Sequence, residues 1–203
     1  MWLYLIRHGE PEGARGRGLG HLDLPLSATG LAQAEALAAS WQGRAPDRIY
    51  SSDLQRAKQT ATPLARRFAL DLKLDPRLRE MALGDWDGQP WDELRERDPA
   101  VFDHWAEDWV RRAPPGGECF QALHARNLSW LREVRDMPDA GVVLAYAHAG
   151  TLRALLCEAT GMSLDQAFTW RVDYAASFAL QWRSGRFEVC YANAPRFESI
   201  HGD

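Results

Sequence analysis

Two apolar runs, each leading to a histidine, constrain the fold of this chain most strongly. The first covers residues 1–6 and leads to His8, and the second covers Val142–Ala147 and leads to His148. Uninterrupted apolar runs of this length are typical of strands buried on both faces of a parallel sheet. The carboxyl ends of parallel strands meet at one edge and line the ligand crevice. If the two strands are neighbours, both imidazoles face one pocket.

Short β-like runs alternate with helical patterns along the chain. This alternation predicts an α/β fold with a mostly parallel sheet flanked by helices. The length of 203 residues suits a single domain, 1–203. Strands are predicted at 1–6, 47–50 and 142–147, and helices at 28–41, 54–68, 117–134 and 151–160.

The ends of these predicted elements carry turn and capping signals. Ser27 can cap the first helix, and Ser51, Ser52 or Asp53 can cap the second. Alternating runs at 177–183 and 186–191 flank a serine and a glycine, which predicts a β-hairpin near the C-terminus.

Residues 78–138 differ in composition from the rest of the chain. They hold five of the nine tryptophans, and prolines at 90, 99, 114 and 115 divide them into short helices. We interpret this segment as a helical insertion that covers one end of the sheet. Phe102, Trp105 and Trp109 recur at helical spacing, which favours packing within the insertion over direct contact with a ligand.

Two arginines can supply positive charge beside the histidines. Arg7 precedes His8, and Arg56 lies one turn into the second predicted helix, from where it can point towards the crevice. A guanidinium group forms planar bidentate hydrogen bonds with phosphate. A histidine beside an arginine at a strand end suggests a nucleophile that meets an anionic substrate.

Four motifs, in order along the chain, resemble those of the histidine phosphatase superfamily, also called phosphoglycerate mutase-like. They are R-H-G at 7–9, S-D-L-Q-R-A-K-Q-T-A at 52–61, L-R-E-M-A-L-G-D-W-D-G at 78–88 and H-A-G at 148–150. One such motif is weak evidence, but four in register are strong. The resemblance implies the three-layer α/β fold of that superfamily, a phosphomonoesterase activity on a small phosphomonoester, and no metal or other cofactor.

The resemblance also implies a role for each of five residues. His8 would attack phosphorus and become a phosphohistidine, while Arg7, Arg56 and His148 would hold the phosphoryl oxygens. Glu80 would protonate the leaving alcohol and then take a proton from the attacking water. The two neighbouring arginines disfavour the imidazolium form and should lower the pKa of His8.

The sequence departs from the superfamily pattern close to the expected phosphate. Pro11, Ala14 and Ala147 stand where members commonly carry small polar groups. Arg15 or Arg17, in the glycine-rich loop of residues 9–26, can replace the missing contacts, and solvated loop charge is the equally supported alternative.

Two further residues are candidates for lining the substrate pocket. His21 lies in the loop expected to border the pocket, and its alternative is a structural or surface role. Glu118 is either a carboxylate that favours a helix start or a pocket-lining residue. The histidines outside the motifs lack metal-ligand spacing, so no metal site is predicted.

Bulk properties exclude several classes of partner. The net charge of −4 gives no basic field for nucleic acid, and no apolar stretch approaches the length of a membrane span. Three widely spaced cysteines without a C-x-x-C pair favour a reducing cytoplasm. A homodimer is compatible with the sequence.

The tryptophan-rich segment and the run P-P-G-G-E-C-F-Q-A-L at 114–123 further resemble the α-ribazole-5′-phosphate phosphatases of cobalamin biosynthesis. We therefore expect a phosphatase of that kind. Another small-molecule phosphatase, or a phosphoglycerate mutase of the same superfamily, is the first alternative. A catalytically weak protein that binds phospho-ligands is the second, and the departures from the motif pattern are the observation on which it rests.

Overall fold

The computed structural model describes residues 1–138 and 141–198. Its strands are β1 (Trp2–Arg7), β2 (Arg48–Ser51), β3 (Leu72–Leu74), β4 (Val142–Ala147), β5 (Ser177–Arg183) and β6 (Arg186–Ala194). Its α-helices are α1 (Ala28–Ser40), α2 (Gln55–Arg67), α3 (Trp91–Arg97), α4 (Pro99–Glu107), α5 (Phe120–Arg135) and α6 (Ala149–Thr160). Short 3-10 helices cover Pro76–Leu78, Gly84–Trp86 and Leu164–Thr169.

The strands form one six-stranded sheet in the order β3-β2-β4-β1-β5-β6. The first four strands in that order run parallel, whereas β5 and β6 form an antiparallel hairpin beside β1. The predicted α/β fold with a mostly parallel sheet is therefore confirmed. The strand β3 was not predicted, because a three-residue edge strand is too short to show a period.

Helices cover both faces of this sheet and give three layers. Alternate residues of β1 enter opposite cores: Leu3 and Leu5 pack towards α5 and α6, while Tyr4 and Ile6 pack towards α1 and α2. All six residues of β4 are buried, as expected for a central strand covered on both sides. The resulting stack supports the strand ends that carry the candidate site.

The helix α1 begins beside the turn that follows β1. Its predicted cap is confirmed, because the Ser27 hydroxyl accepts a hydrogen bond from the amide of Gly30 at 3.1 Å. A Cβ atom on Gly9 would collide with the Gly30 carbonyl oxygen. Glycine is thus required at position 9 by the close approach of α1.

The helix α2 is capped from a distant loop. The prediction that Ser51, Ser52 or Asp53 caps it misses the main partner, since the Asp23 carboxylate accepts from the Gln55 amide at 2.6 Å. Ser52 contributes only a longer bond of 3.3 Å from the amide of Leu54. The cap therefore ties the glycine-rich loop to the start of α2.

Aromatic side chains organise the segment that contains α3 and α4. Trp86 stacks on Phe102 with ring centroids 5.6 Å apart, and Trp91 stacks on Trp105 at 5.9 Å. Trp109 lies beyond the end of α4 and packs edge-to-face against Phe120. The predicted internal packing is present, and Trp105 and Trp109 also line the cavity described below.

Candidate active site

Three parallel strands end side by side at the candidate site. In the register of β1 with β4, Arg7 lies opposite Ala147, so His8 and His148 follow at neighbouring strand ends. Ser52 follows β2 at the third strand end, and its amide donates to the Tyr146 carbonyl at 2.9 Å. The imidazole centroids of His8 and His148 are 5.0 Å apart. The structure thus brings the two predicted histidines together.

The imidazole of His8 is held in its neutral form. Burial lowers its pKa well below the ordinary value, and the charges of Arg7 and Arg56 lower this pKa further. Its Nδ1 lies 2.7 Å from the Gly9 carbonyl oxygen, and a carbonyl only accepts, so Nδ1–H donates this bond. The lone pair is therefore on Nε2, the form that a nucleophile requires.

The imidazole of His148 is completely buried beneath the site. Its Nδ1 accepts from Nε of Arg56 at 3.2 Å, because a guanidinium can only donate. Its Nε2–H therefore donates to the Ser52 hydroxyl at 2.8 Å. Burial, followed by the charge of Arg56, lowers the pKa of His148 well below the ordinary value. Both ring nitrogens already have protein partners in this structure.

The side chain of Arg56 is also fully buried. Its Nη1 donates to the Leu22 carbonyl and its Nη2 to the Gly20 carbonyl, each at 2.7 Å. Arg56 therefore joins the glycine-rich loop to His148, and each of its two terminal nitrogens keeps one further N–H. The structure places Arg56, which was predicted to bind phosphate, under the cavity wall and beside the two histidines.

The guanidinium of Arg7 lines the cavity itself. It lies over the ring of Tyr174 at 3.9 Å, and its Nη1 donates to the Val172 carbonyl at 2.7 Å. Burial lowers its pKa, and within the described part of the chain its buried Nε has no hydrogen-bond partner. An unsatisfied buried donor is costly, which favours an acceptor supplied by a ligand.

The carboxylate of Glu80 reaches the N-terminus of α6. Its Oε2 accepts from the Gly150 amide at 3.0 Å, and its Oε1 accepts from the Met81 amide at 2.9 Å. A Cβ atom on Gly150 would collide with this carboxylate and would displace it from the α6 N-terminus. Glu80, His8 and Arg7 all line one cavity, so one ligand can contact all three side chains.

Aromatic and cationic groups complete the cavity. Its wall includes Trp91, Trp105, Trp109, Phe120, Phe168 and Tyr174. Arg153 also lines it, with its Nε donating to the Trp170 carbonyl at 3.2 Å and its guanidinium 4.7 Å from the Phe168 ring. Burial lowers the pKa of Arg153. Arg153 and Tyr174 were not predicted from the sequence; the position of Arg153 five residues after His148 was the available signal for the former.

The candidate lining residues differ in where they lie. Arg17 lines the cavity and donates to the Gly88 carbonyl at 2.9 Å, whereas Arg15 is exposed and lies away from the wall. The His21 ring bonds the Glu80 carbonyl at 2.9 Å, behind the site. Glu118 forms an ion pair of 2.6 Å with Arg126. His21 and Glu118 therefore contact the segment that carries Glu80 instead of the cavity wall.

The positions that depart from the motif pattern fall into two groups. Ala14 lines the cavity, so a methyl group stands at its wall. Pro11 pairs with Leu26 across the loop, and Ala147 is buried as the last residue of β4. Of the two arginines that the sequence offered as replacements, Arg17 is the one that reaches the cavity.

Comparison with known proteins identifies the class of this site. The profile of the histidine phosphatase superfamily (branch 1) matches residues 3–195. The chain therefore belongs to the histidine phosphatase superfamily and is a phosphatase of that superfamily. The predicted family resemblance and the predicted hydrolase activity are confirmed.

Particular relatives match most of the chain. The chain is 33% identical over 175 residues, 85% of its length and 86% of the relative's, to the adenosylcobalamin/α-ribazole phosphatase of Escherichia coli K12. It is 37% identical over 171 residues, 80% of its length and 76% of the relative's, to the glucosyl-3-phosphoglycerate phosphatase of Mycolicibacterium vanbaalenii. The crystal structure of the Shigella flexneri α-ribazole phosphatase superposes with a TM-score of 0.92 at 28% identity, covering 99% of this chain and 100% of that one.

Two kinds of feature are absent from the described residues. No helix within 1–138 and 141–198 is long and apolar enough to cross a membrane. Within the same ranges, no group of three or more histidine, cysteine, aspartate or glutamate side chains is arranged to hold a metal ion.

Proposed function

We propose that this phosphatase hydrolyses α-ribazole 5′-phosphate through a phosphohistidine at His8, with no metal or other cofactor. The observation that carries the mechanism is the neutral imidazole of His8, whose Nδ1–H is bound by the Gly9 carbonyl. The Nε2 lone pair attacks phosphorus, an Nε2–P bond forms, and the bond from phosphorus to the ester oxygen breaks.

Arg7, Arg56 and His148 hold the transferring phosphoryl group in this proposal. The unpartnered Nε–H of Arg7 and the remaining N–H groups of Arg56 donate to its oxygens. His148 joins them when a phosphoryl oxygen replaces the Ser52 hydroxyl as the acceptor of its Nε2–H. Such preorganised donors stabilise the charge that spreads over the oxygens during transfer.

Glu80 moves the protons of both half-reactions. It gives its proton to the ester oxygen as the alcohol leaves, and later takes one from the water that attacks the phosphohistidine. The P–O bond to that water forms as the Nε2–P bond breaks, which releases inorganic phosphate and restores neutral His8. Its place on the wall of the cavity that His8 also lines supports this role.

The cavity wall supports a flat aromatic leaving group. Trp91, Trp105 and Trp109 give it a broad apolar surface of the kind that binds a heteroaromatic base. The buried indole N–H of Trp105 has no hydrogen-bond partner among the described residues and can donate to an acceptor on the substrate. The named relatives that act on α-ribazole compounds support the same choice.

A specific observation favours a second substrate class, a phosphomonoester that also bears a carboxylate. Arg153 and Arg17 both line the cavity and add two cations to those proposed for the phosphate. Guanidinium groups bind carboxylates with planar, charge-assisted hydrogen bonds. The glucosyl-3-phosphoglycerate phosphatase relative is a precedent for such a substrate in this superfamily.

A substrate panel decides between the two classes. We expect kcat/KM to be highest for α-ribazole 5′-phosphate, above phosphoserine and 3-phosphoglycerate. Trp109→Ala should lower kcat/KM for α-ribazole 5′-phosphate. It should leave kcat/KM for p-nitrophenyl phosphate unchanged, because that ester is small. Higher kcat/KM for the carboxylated esters, lost selectively in Arg153→Met, would overturn the first proposal in favour of the second. Phosphoglycerate isomerisation with bisphosphoglycerate present would instead reveal a mutase.

The remaining parts of the proposal concern the whole protein. A single domain, with residues 78–138 inserted over the site, accounts for the packing of Trp86 against the aromatic side chains of α3 and α4.

The cysteines Cys119, Cys157 and Cys190 are unpaired, which supports a cytoplasmic location. The exposed edge strand β6 is compatible with a homodimer, which sedimentation of the purified protein tests.

A further inference from the structure

The guanidinium of Arg126, on α5, binds the backbone just before and at Glu80. Its Nη1 donates to the carbonyls of Arg77 and Arg79 at 2.7 and 2.8 Å. Its Nη2 donates to the Glu80 carbonyl at 2.7 Å. Three carbonyls of one short segment are therefore held by a single side chain. The Asn127 amide adds a bond of 2.6 Å to the Arg77 carbonyl.

Glu118 completes the arrangement on the other side of Glu80. Its Oε1 accepts from Nη2 of Arg126 at 2.6 Å and from the Ala82 amide at 2.9 Å. Its Oε2 accepts from Nε of Arg126 at 3.3 Å. The pair is half-buried, with 22% and 20% of the two side chains exposed, so water screens it less than a surface ion pair.

The segment needs these partners because it has little regular structure of its own. Residues 79–83 lie between the 3-10 helices Pro76–Leu78 and Gly84–Trp86 and belong to neither a strand nor an α-helix. Backbone groups in such a segment must find other partners. Arg126 and Glu118 supply them from α5 and the loop before it, while the Glu80 carboxylate accepts from the Gly150 amide at the start of α6.

We infer that Arg126 and Glu118 form a positioning pair that aims the Glu80 carboxylate at the ester oxygen. The inference rests on the proposed function, since it deepens the role of Glu80 there. A displacement of about 1 Å at a proton donor is enough to cost a large part of its catalytic effect. Loss of the pair should therefore slow the step that needs the proton, while His8 keeps its nucleophilicity.

The test compares leaving groups in the first half-reaction. Alcohol release is measured in a single turnover for benzyl phosphate, whose alkoxide needs a proton, and for p-nitrophenyl phosphate, whose phenolate does not. We expect Arg126→Met and Glu118→Gln to lower the benzyl rate at least about tenfold and the nitrophenyl rate by less than about threefold. Arg126→Lys should recover part of the benzyl rate, because an ammonium can still donate to the carbonyls.

Arg132→Met is the matched control, since Arg132 lies exposed on the same helix. It should leave both rates unchanged. Equal losses on both esters in the two variants, or no loss on either, would overturn the inference. If Arg126→Met fails to fold, Glu118→Gln and Arg126→Lys carry the same comparison. A wild-type protein inactive on both esters would instead contradict the proposed function.

Discussion

The two site histidines owe their states to the atoms that touch them. A carbonyl fixes the proton of His8 on Nδ1, and a guanidinium fixes the proton of His148 on Nε2. Burial and the charges of Arg7 and Arg56 keep both rings neutral. Each ring thus has one defined tautomer before any substrate arrives, which is the preorganisation that phosphoryl transfer uses.

This neutrality gives stability a pH dependence. In the unfolded chain both histidines take up protons below the ordinary pKa of about 6.5, whereas in the folded protein His8 and His148 do not. The unfolded state then binds more protons. The contribution of the two rings to the free energy of unfolding is therefore fully present above that pH and is lost as the pH falls below it. Each ring contributes up to about 1.4 kcal/mol per pH unit.

Urea unfolding across that pH range measures the effect. We expect the free energy of unfolding to fall between about pH 7 and about pH 5.5, above the range in which ordinary carboxylates titrate. His8→Asn should make the dependence shallower, because one of the two rings is removed. A stability that is flat across this window would contradict neutral buried rings.

At the scale of elements, three strand ends and two helix starts form the base of the site. The strands β1 and β4 were predictable, because each is a continuous apolar run. The cap of α2 was not, because its carboxylate comes from Asp23, far along the chain from Gln55. Capping signals in sequence identify only local partners, so a tertiary cap escapes them.

The Asp23 cap supports both α2 and the glycine-rich loop. Asp23→Ala should lower the free energy of unfolding by about 1 kcal/mol, because the Gln55 amide loses its acceptor. Asp23→Asn should keep most of that stability, since its side-chain oxygen can still accept. Urea unfolding of the two variants checks this, and equal stability of Asp23→Ala and the wild type would show that the cap contributes nothing.

The aromatic cluster around α3 and α4 is expected to be a large source of stability. Trp86 is 5% exposed and contacts Phe102 and Trp105. Trp86→Ala should cost about 3 kcal/mol or more, because it leaves a cavity among large rings. Val101→Ala, on the exposed side of α4, is the control and should cost little. Chemical denaturation measures the free energy of unfolding of both variants. Comparable losses of that free energy in the two would mean that the cluster is loosely packed.

At the scale of the whole molecule, the cavity lies between the sheet edge and the segment rich in tryptophan. The motif residues His8 and Glu80 could be predicted to share a site because they belong to recognisable patterns. Tyr174 and Arg126 could not, because the fold alone brings them there from the loop before β5 and from α5, and the signal for Arg153 was limited to its spacing from His148. The same limit applies to His21, whose ring binds the Glu80 carbonyl instead of substrate.

A phosphate ligand should stabilise the molecule as a whole, since its proposed donors come from β1, α2 and the start of α6. Inorganic phosphate at about 100 times its Kd should add about 2.7 kcal/mol to the free energy of unfolding and raise Tm. Arg7→Ala should lose most of this shift, because it removes a cation and the unpartnered Nε–H of the site. A shift of undiminished size in that variant would place the phosphate elsewhere.

Detection of the phosphohistidine tests the proposed mechanism most directly. The Glu80→Gln variant should form it readily from p-nitrophenyl phosphate, which needs no proton, and hydrolyse it slowly, because the attacking water lacks its base. Rapid quenching followed by peptide mapping should then find phosphate on His8, stable in base and labile in acid. No phosphate should be bound in the variant that also carries His8→Ala. Turnover by the wild type with no phosphate on His8 in the Glu80→Gln variant, or activity that survives His8→Ala, would contradict the account.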